Sequence, residues 1–297
     1  MAKNMLVADD LLNATEFSQQ RSELLQNYSA ELASQLKGQV KYIYVKDPSR
    51  KKEDTLDEKT KVEEVNRFFS KKKIRVQVIG KVGNPVEEVL KAQNSSPKPS
   101  LVIMGTHGKT GLDRLFLGSV AEEVIRNSQT PALILGPQVL EPHVEKGGKI
   151  LLATDLSKNS RRAEAYALKL AAELKAEIVM IHSITETVRT ADQFASMSGT
   201  AYLDDSFIKT LRQKSGQALK KKAQLFKSKR VRTSFILDEK GPTSAEVLVA
   251  EAAKGYQFLI MGTHGRNALL RAFLGSTARQ TLLSTPIPTI IVNSRLR

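Results

Sequence analysis

The chain carries the same stretch twice, and that duplication limits what it can fold into more than any other feature. Met104-Gly105-Thr106-His107-Gly108 is followed by nine residues and then Gly118-Ser119. Met261-Gly262-Thr263-His264-Gly265 is followed by nine residues and then Gly275-Ser276. Each copy comes directly after a short apolar run, Leu101-Val102-Ile103 and Phe258-Leu259-Ile260, which reads as a buried parallel strand. Each leads into a helix-like segment, a Thr-Pro step and a second apolar run. Strand, glycine loop, helix start is the order in which α/β proteins hold phosphate. Glycines let the backbone approach an anion, and N–H groups at a helix N-terminus point at it.

The surrounding sequence repeats as well. Met5-Leu6-Val7-Ala8 reads as a strand ending at Asp9-Asp10. Apolar residues at helical spacing predict a helix over 15–37. Strand 40–45, a helix through Val62, Val65 and Phe69, and an alternating strand over 74–79 follow. Pro85 is placed to open a helix. Strand 100–104, a helix over 119–127 and strand 132–135 complete the first half. Gly136-Pro137, Pro142 and Gly147-Gly148 mark a linker. The pattern then restarts: strand 150–154 ending at Asp155, a helix through Ala163 to Leu174, and strand 178–181. A segment over about 184–206, rich in Ser, Thr, Asp and small residues, is an insertion that the first half lacks, and loops of that length are usually functional or mobile. A helix with Ile208, Leu211, Leu219 and Phe226 on one stripe, strand 231–237, a helix through Val247 and Leu248, the strand before Gly262 and a last strand at 287–292 close the chain. Each half thus alternates β and α, which predicts an α/β fold of two tandem doubly wound domains, each a five-stranded parallel sheet with helices on both faces. The expected domains are 1–138 and 149–297, joined by 139–148. Ligands in such folds sit outside the carboxyl ends of the strands, where strand order reverses.

Composition narrows the classes. The 297 residues include no cysteine, which excludes a disulfide framework, a catalytic thiol and thiolate metal sites. It fits a reducing compartment, and the expected location is cytoplasmic. The N-terminus reads as no secretory signal, and no apolar run approaches the ~18 residues of a membrane span. The net charge of +15 lies mostly in the second half, which has 24 basic residues against 12 acidic ones. From Lys209 to Arg232 there are ten basic residues and no acidic one. A run of this kind is most often a solvated helix face, and its functional reading is an anionic partner or a lid over the second site. Without Trp, and with no aromatic residues interleaved among the lysines, it does not look like a single-strand stacking platform.

The spacing G-x2-G-x9-G-[ST], intact in both halves, resembles the ATP-binding signature of the universal stress protein family in its tandem two-domain form. The Asp closing the first strand, the Gly-Asn-Pro or Gly-Pro turn and the Thr-Pro before the last strand extend the resemblance over nearly the whole chain. The resemblance implies a sheet of order 3-2-1-4-5, paired last strands that join the halves as an internal pseudo-dimer, and possibly a homodimer beyond it. It implies a bound adenine nucleotide, ATP or AMP/ADP, with Mg²⁺ carried by the nucleotide. Asp10 and Asp155 would face the adenosine, and the backbones of Val45 and Ser183 the adenine. Gly105, Gly108, Gly262 and Gly265 would line ribose and phosphates, with Met104, His107, Met261 and His264 beside them. Gly118, Ser119, Gly275 and Ser276 would hold phosphate oxygens, followed by Val120 and Thr277. Lys109 and Arg266 could pair with phosphate charge. Asp9 competes with Asp10, and Leu12 stands where the second half has Ser157.

Other readings fare worse. Gly108-Lys109-Thr110 superficially matches a P-loop, but Ile103 stands where its first glycine belongs. No histidine pair has zinc spacing, and no nucleophile, base and acid stand in a recognisable order. Asp10 and Asp155 could instead be turn residues that bond local backbone. Ser119 and Glu122 read as a capping box, which would leave Ser119 less free than Ser276. The expected function is an adenine-nucleotide-binding stress-response module with little or no catalysis. The alternatives are a slow ATPase or nucleotide-transferring enzyme on the same fold, and a basic scaffold for nucleic acid or anionic lipid.

Overall fold

The computed structural model describes residues 4–48, 56–106, 117–141, 143–197, 205–263 and 274–294. In chain order the first half comprises β1 (Asn4–Asp9), α1 (Glu16–Leu36), β2 (Gln39–Lys46), α2 (Glu58–Lys71), β3 (Val76–Val82), α3 (Pro85–Gln93), β4 (Leu101–Gly105), α4 (Ser119–Asn127) and β5 (Ala132–Leu135). The second half comprises β6 (Lys149–Ala153), α5 (Arg161–Leu174), β7 (Glu177–Ser183), α6 (Thr185–Met197), α7 (Asp205–Ser228), β8 (Thr233–Asp238), α8 (Ser244–Ala252), β9 (Phe258–Gly262), α9 (Ser276–Ser284) and β10 (Thr289–Val292). Among the described residues, no helix is long and apolar enough to cross a membrane.

The strands form one sheet of order β3-β2-β1-β4-β5-β10-β9-β6-β7-β8. Each half has the expected order 3-2-1-4-5, with every pairing inside a half parallel. The halves meet edge to edge: β5 and β10 pair antiparallel, with Ile134 opposite Thr289 and Leu133 opposite Ile290. All strands of one half therefore run opposite to all strands of the other. Strand residues alternate between two cores, one on each face. Met5, Val7, Ile150 and Leu152 enter one, and Leu6, Ala8 and Leu151 the other. Both cores cross the seam without a break. Leu133 and Ile290 lie in the first, and Ile134 and Ile291 in the second. Burying such a side chain contributes about 1.5–3 kcal/mol, so the seam is built like the interior of a domain.

Local chemistry fixes the helix ends. The Thr15 hydroxyl caps α1 by accepting from the Ser18 N–H, and Lys37 closes it in the left-handed region at φ 51°. Asn84 caps α3 with Pro85 in its first turn, as the turn sequence implies. The segment 137–148 is packed rather than loose. Buried Arg21 donates to three carbonyls, Leu135 at 2.6 Å, Gly136 at 2.7 Å and Val139 at 3.0 Å. The Tyr28 hydroxyl donates to the Glu141 carbonyl, and the Glu145 N–H to the Gln257 side chain. At the seam, a Cβ on Gly136 would stand 2.2 Å from the Leu282 carbonyl oxygen of α9, so only glycine fits. From the other side, the Asn293 amide donates to the Arg126 and Ser128 carbonyls at the end of α4.

Three expectations are corrected. The insertion is not simply a loop, because α6 occupies most of it. Strand β3 is Val76–Val82 rather than 74–79, since its register with β2 runs on to Val82 opposite Lys46. Ser119 and Glu122 form no capping box: Gly118 is the N-cap of α4 and no side chain caps it. The Glu122 N–H goes to the Gly118 carbonyl.

Candidate functional site

In the second half, the carboxyl ends of β6, β7 and β9 and the start of α9 surround a cleft of about 1000 Å³. Seven residues singled out from the sequence line it: Asp155, Ser183, Met261, Gly262, Gly275, Ser276 and Thr277. They come together because β6 lies between β7 and β9 in the sheet, so the strand-order reversal sits at this rim. The chain leaves β6 on one side and β9 on the other, and a gap opens where they part.

Each group is held by identifiable partners. One Asp155 carboxylate oxygen accepts from the Ser157 N–H at 3.0 Å and from the Ser160 hydroxyl. The Asp155 N–H in turn donates to Ser160 Oγ at 3.3 Å. The turn role and the cleft role thus fall on the same aspartate. The next residue, Leu156, has φ 63°, a left-handed conformation that costs a leucine of order 1–3 kcal/mol. The Thr154 hydroxyl steadies that turn, accepting from the Leu156 N–H and donating to buried Glu164 at 2.7 Å. Glu164 is matched by Lys222 of α7 at 2.5 Å. A buried ion pair therefore joins the cleft floor to the basic helix. His182 is buried, with Nδ1 2.8 Å from the Thr154 carbonyl, as expected for a packed strand residue.

The start of α9 offers donors. Gly275 is its N-cap and no side chain caps it. The Gly275 N–H is already given to the Thr263 carbonyl at 3.0 Å. The donors turned to the cleft are therefore the N–H groups of the first helical residues, Ser276, Thr277 and Ala278, which have no acceptor within the helix. The macrodipole adds partial positive charge there. The first half repeats the arrangement, with the Gly118 N–H on the Thr106 carbonyl at 2.7 Å and Ser119, Val120 and Ala121 opening α4.

The roof of the cleft comes from α6, through Glu186, Thr187, Thr190, Ala191, Phe194 and Ala195. This spacing puts one helix face over the cavity. Asp238, at the end of β8, fastens the start of α6. One of its carboxylate oxygens accepts from the Ser183 hydroxyl at 2.7 Å and the Thr185 hydroxyl at 3.0 Å. The other accepts from the Gly241 N–H. Further on, Glu186 accepts from the Ser244 N–H, and Arg189 donates to the Pro242 carbonyl. Sequence reasoning missed these roof residues. Their only signal is a helical recurrence of small and hydroxyl side chains with Phe194, and no residue of α6 is buried to mark a face.

In the first half, Asp10, Val45, Met104 and Gly105 share the carboxyl rim of β1, β2 and β4. Asp10 accepts from the Asn13 amide at 2.8 Å. Asp9 does not compete with it for the rim. Its carboxylate points inward and accepts from the Tyr42 hydroxyl at 2.5 Å, and burial of that carboxyl raises its pKa to about 6. Leu12, where the second half has Ser157, is buried, and its carbonyl accepts from the Leu56 N–H. His107, Gly108, Lys109, His264, Gly265 and Arg266 lie outside the described residues. Among the described residues, no cluster of three or more His, Asp or Glu could hold a metal ion.

Comparison with known proteins agrees with this architecture. A family model described as the universal stress protein family matches residues 1–136 and again 148–293. Universal stress protein MJ0531 of Methanocaldococcus jannaschii is 47% identical over 53 residues, 18% of this chain and 31% of that protein. Universal stress protein MJ0577 of the same organism is 37% identical over 81 residues, 27% of this chain and 49% of that protein. The chain thus spans between about a third and a half of the length of these two relatives. The crystal structure of a universal stress protein from Archaeoglobus fulgidus superposes over 98% of this chain and 96% of its own, with a TM-score of 0.65 at 19% identity, a likeness of fold. A duplicated glycine motif, two 3-2-1-4-5 half-sheets and two family matches end to end make this chain a tandem two-domain member of the universal stress protein family.

Proposed function

We propose that the cleft of the second half binds an adenine nucleotide, ATP or its AMP/ADP relatives, and that the protein works through this binding as a regulatory or protective module of the cytoplasm. The observation that carries the reading is the convergence on one cavity of Asp155, Ser183, Gly262 and the uncapped start of α9. The N–H groups of Ser276, Thr277 and Ala278 suit phosphate oxygens, because they are donors without helical acceptors in a field that favours anions. The Ser276 hydroxyl adds another donor. Asp155, held by its own turn, is placed to accept from ribose hydroxyls, and the β7 end at Ser183 to meet the base. Mg²⁺ would arrive with the nucleotide. Within the family, one universal stress protein has been solved in complex with cAMP, so some members take an adenine nucleotide. The units of this reading are residues 1–138 and 149–297 joined by 139–148, and the equivalent positions of the first half are its second candidate site.

The test is titration calorimetry of the full chain with Mg·ATP, repeated on Ser276→Pro. Proline is tolerated as the first helical residue, and Gly275 already has the extended backbone (φ −57°, ψ 146°) that precedes proline. The variant removes one N–H and one hydroxyl while the helix start stays intact. The expected result is saturable binding by the parent protein and at least about tenfold weaker binding by the variant at an unchanged melting temperature. No uptake of ATP, ADP or AMP at millimolar concentration rejects the reading.

A second proposal concerns α7. Its apolar stripe is spent on the core through Leu219, Ala223 and Phe226, while Lys209, Lys214, Lys220, Lys221 and Lys227 face solvent. This face suits an anionic partner, and binding to it should weaken steeply with salt.

A further inference from the structure

The roof of the cleft holds an aromatic ring at a place where a buried contact would be expected. Phe194 lines the cavity yet is 72% exposed. It stands on the same face of α6 as Glu186, Thr187, Thr190 and Ala191, all of which line the cavity. The helix buries none of its residues, so the fold gains little from a phenylalanine there. Asp238 and the start of α8 nevertheless hold the helix over the cleft. The face of an aromatic ring carries negative quadrupole charge, which repels phosphate and suits a flat heteroaromatic surface. We propose that Phe194 is the platform on which the nucleotide's base stacks, and that α6 thereby makes the second-half site selective for a purine. Ala191 and Ala195, small and adjacent on the helix, leave room beside the ring for a bicyclic base. The proposal rests on the nucleotide reading of the cleft and adds the element that reads the base.

The chain has no tryptophan, which supplies a direct probe. Phe194→Trp introduces a single indole, and saturating ATP should quench or shift its emission, whereas inorganic tripolyphosphate should not. In parallel, Phe194→Ala should weaken ATP about tenfold, within the range alanine substitution gives for base–aromatic stacking. Its affinity for tripolyphosphate should not change. The preference of the parent protein for ATP over CTP should shrink to near unity in the variant, which a merely structural role would not bring about. Melting temperatures should coincide, since the side chain is mostly solvated. The inference is overturned if Phe194→Ala keeps ATP affinity and the ATP-to-CTP ratio within twofold of the parent, or if the indole emission ignores saturating ATP. If the parent chain itself takes up no nucleotide, the reading of the cleft fails first and this one falls with it.

Discussion

Asp9 and Thr154 occupy matching places at the ends of β1 and β6, and the residue scale turns on that difference. Thr154 passes a hydrogen bond to a buried, paired Glu164. Asp9 instead has its carboxyl inside the fold with the Tyr42 hydroxyl, and burial raises its pKa from 3.8 to about 6. The folded protein therefore holds this proton more tightly than the unfolded chain does. The effect is absent below about pH 4, and stability falls as pH rises to about 6. By the usual conversion per pKa unit the loss reaches about 3 kcal/mol at pH 7, less where water reaches the residue. Asp9→Asn should flatten the melting temperature between pH 4 and 6 and raise it at pH 7, as differential scanning calorimetry over that range would show. The glycine motif makes Asp10 and Asp155 visible as strand-end residues. Nothing in Asp9-Asp10 says which carboxylate turns inward. That depends on the Tyr42 hydroxyl across the sheet, a contact 33 residues distant in sequence.

At the scale of elements, α7 is more than a charged surface, because Lys222 reaches in to Glu164 while its neighbours face out. Lys222→Met leaves a buried carboxylate without its cation, and removal of one partner is the costly way to break such a pair. We expect a loss of about 2 kcal/mol in urea unfolding, since the lysine keeps some solvent contact. Adding Glu164→Gln should recover part of it, the coupling being read from the double-mutant cycle. The long helices α1 and α7 are legible in sequence because a core face imposes a 3.6-residue period on their apolar residues. Helix α6 is not, because it covers a cavity rather than a core and so carries Thr, Ala and a single Phe where leucines would otherwise recur. The capping box at Ser119 misleads for a related reason: tertiary contact from Thr106 fixes the cap one residue earlier, at Gly118.

On the scale of the whole molecule, the seam makes one body of two repeats. Strand β10 supplies the partner that β5 needs, and both cores continue through the joint. The full chain should therefore melt in a single cooperative transition. A fragment ending near residue 138 would bare the β5 edge, and it should elute as a dimer or aggregate in size-exclusion chromatography. Gly136→Val would drive a side chain into the Leu282 carbonyl, and should cost about 1–3 kcal/mol as overpacking does. The half-sheet order follows from the βαβ alternation together with the family resemblance. The sequence shows the last strands only as edge candidates. That they pair antiparallel is settled by Gly136, Leu282 and Asn293, residues with no pattern of their own.

The antiparallel joint has one more consequence. Because the strands of the two repeats point in opposite directions, their carboxyl rims face away from each other across the slab. A five-residue strand spans about 17 Å, roughly twice the screening distance of about 8 Å in physiological salt. Two highly charged guests seated at the two mouths would scarcely repel, so each could fill and empty without regard to its twin.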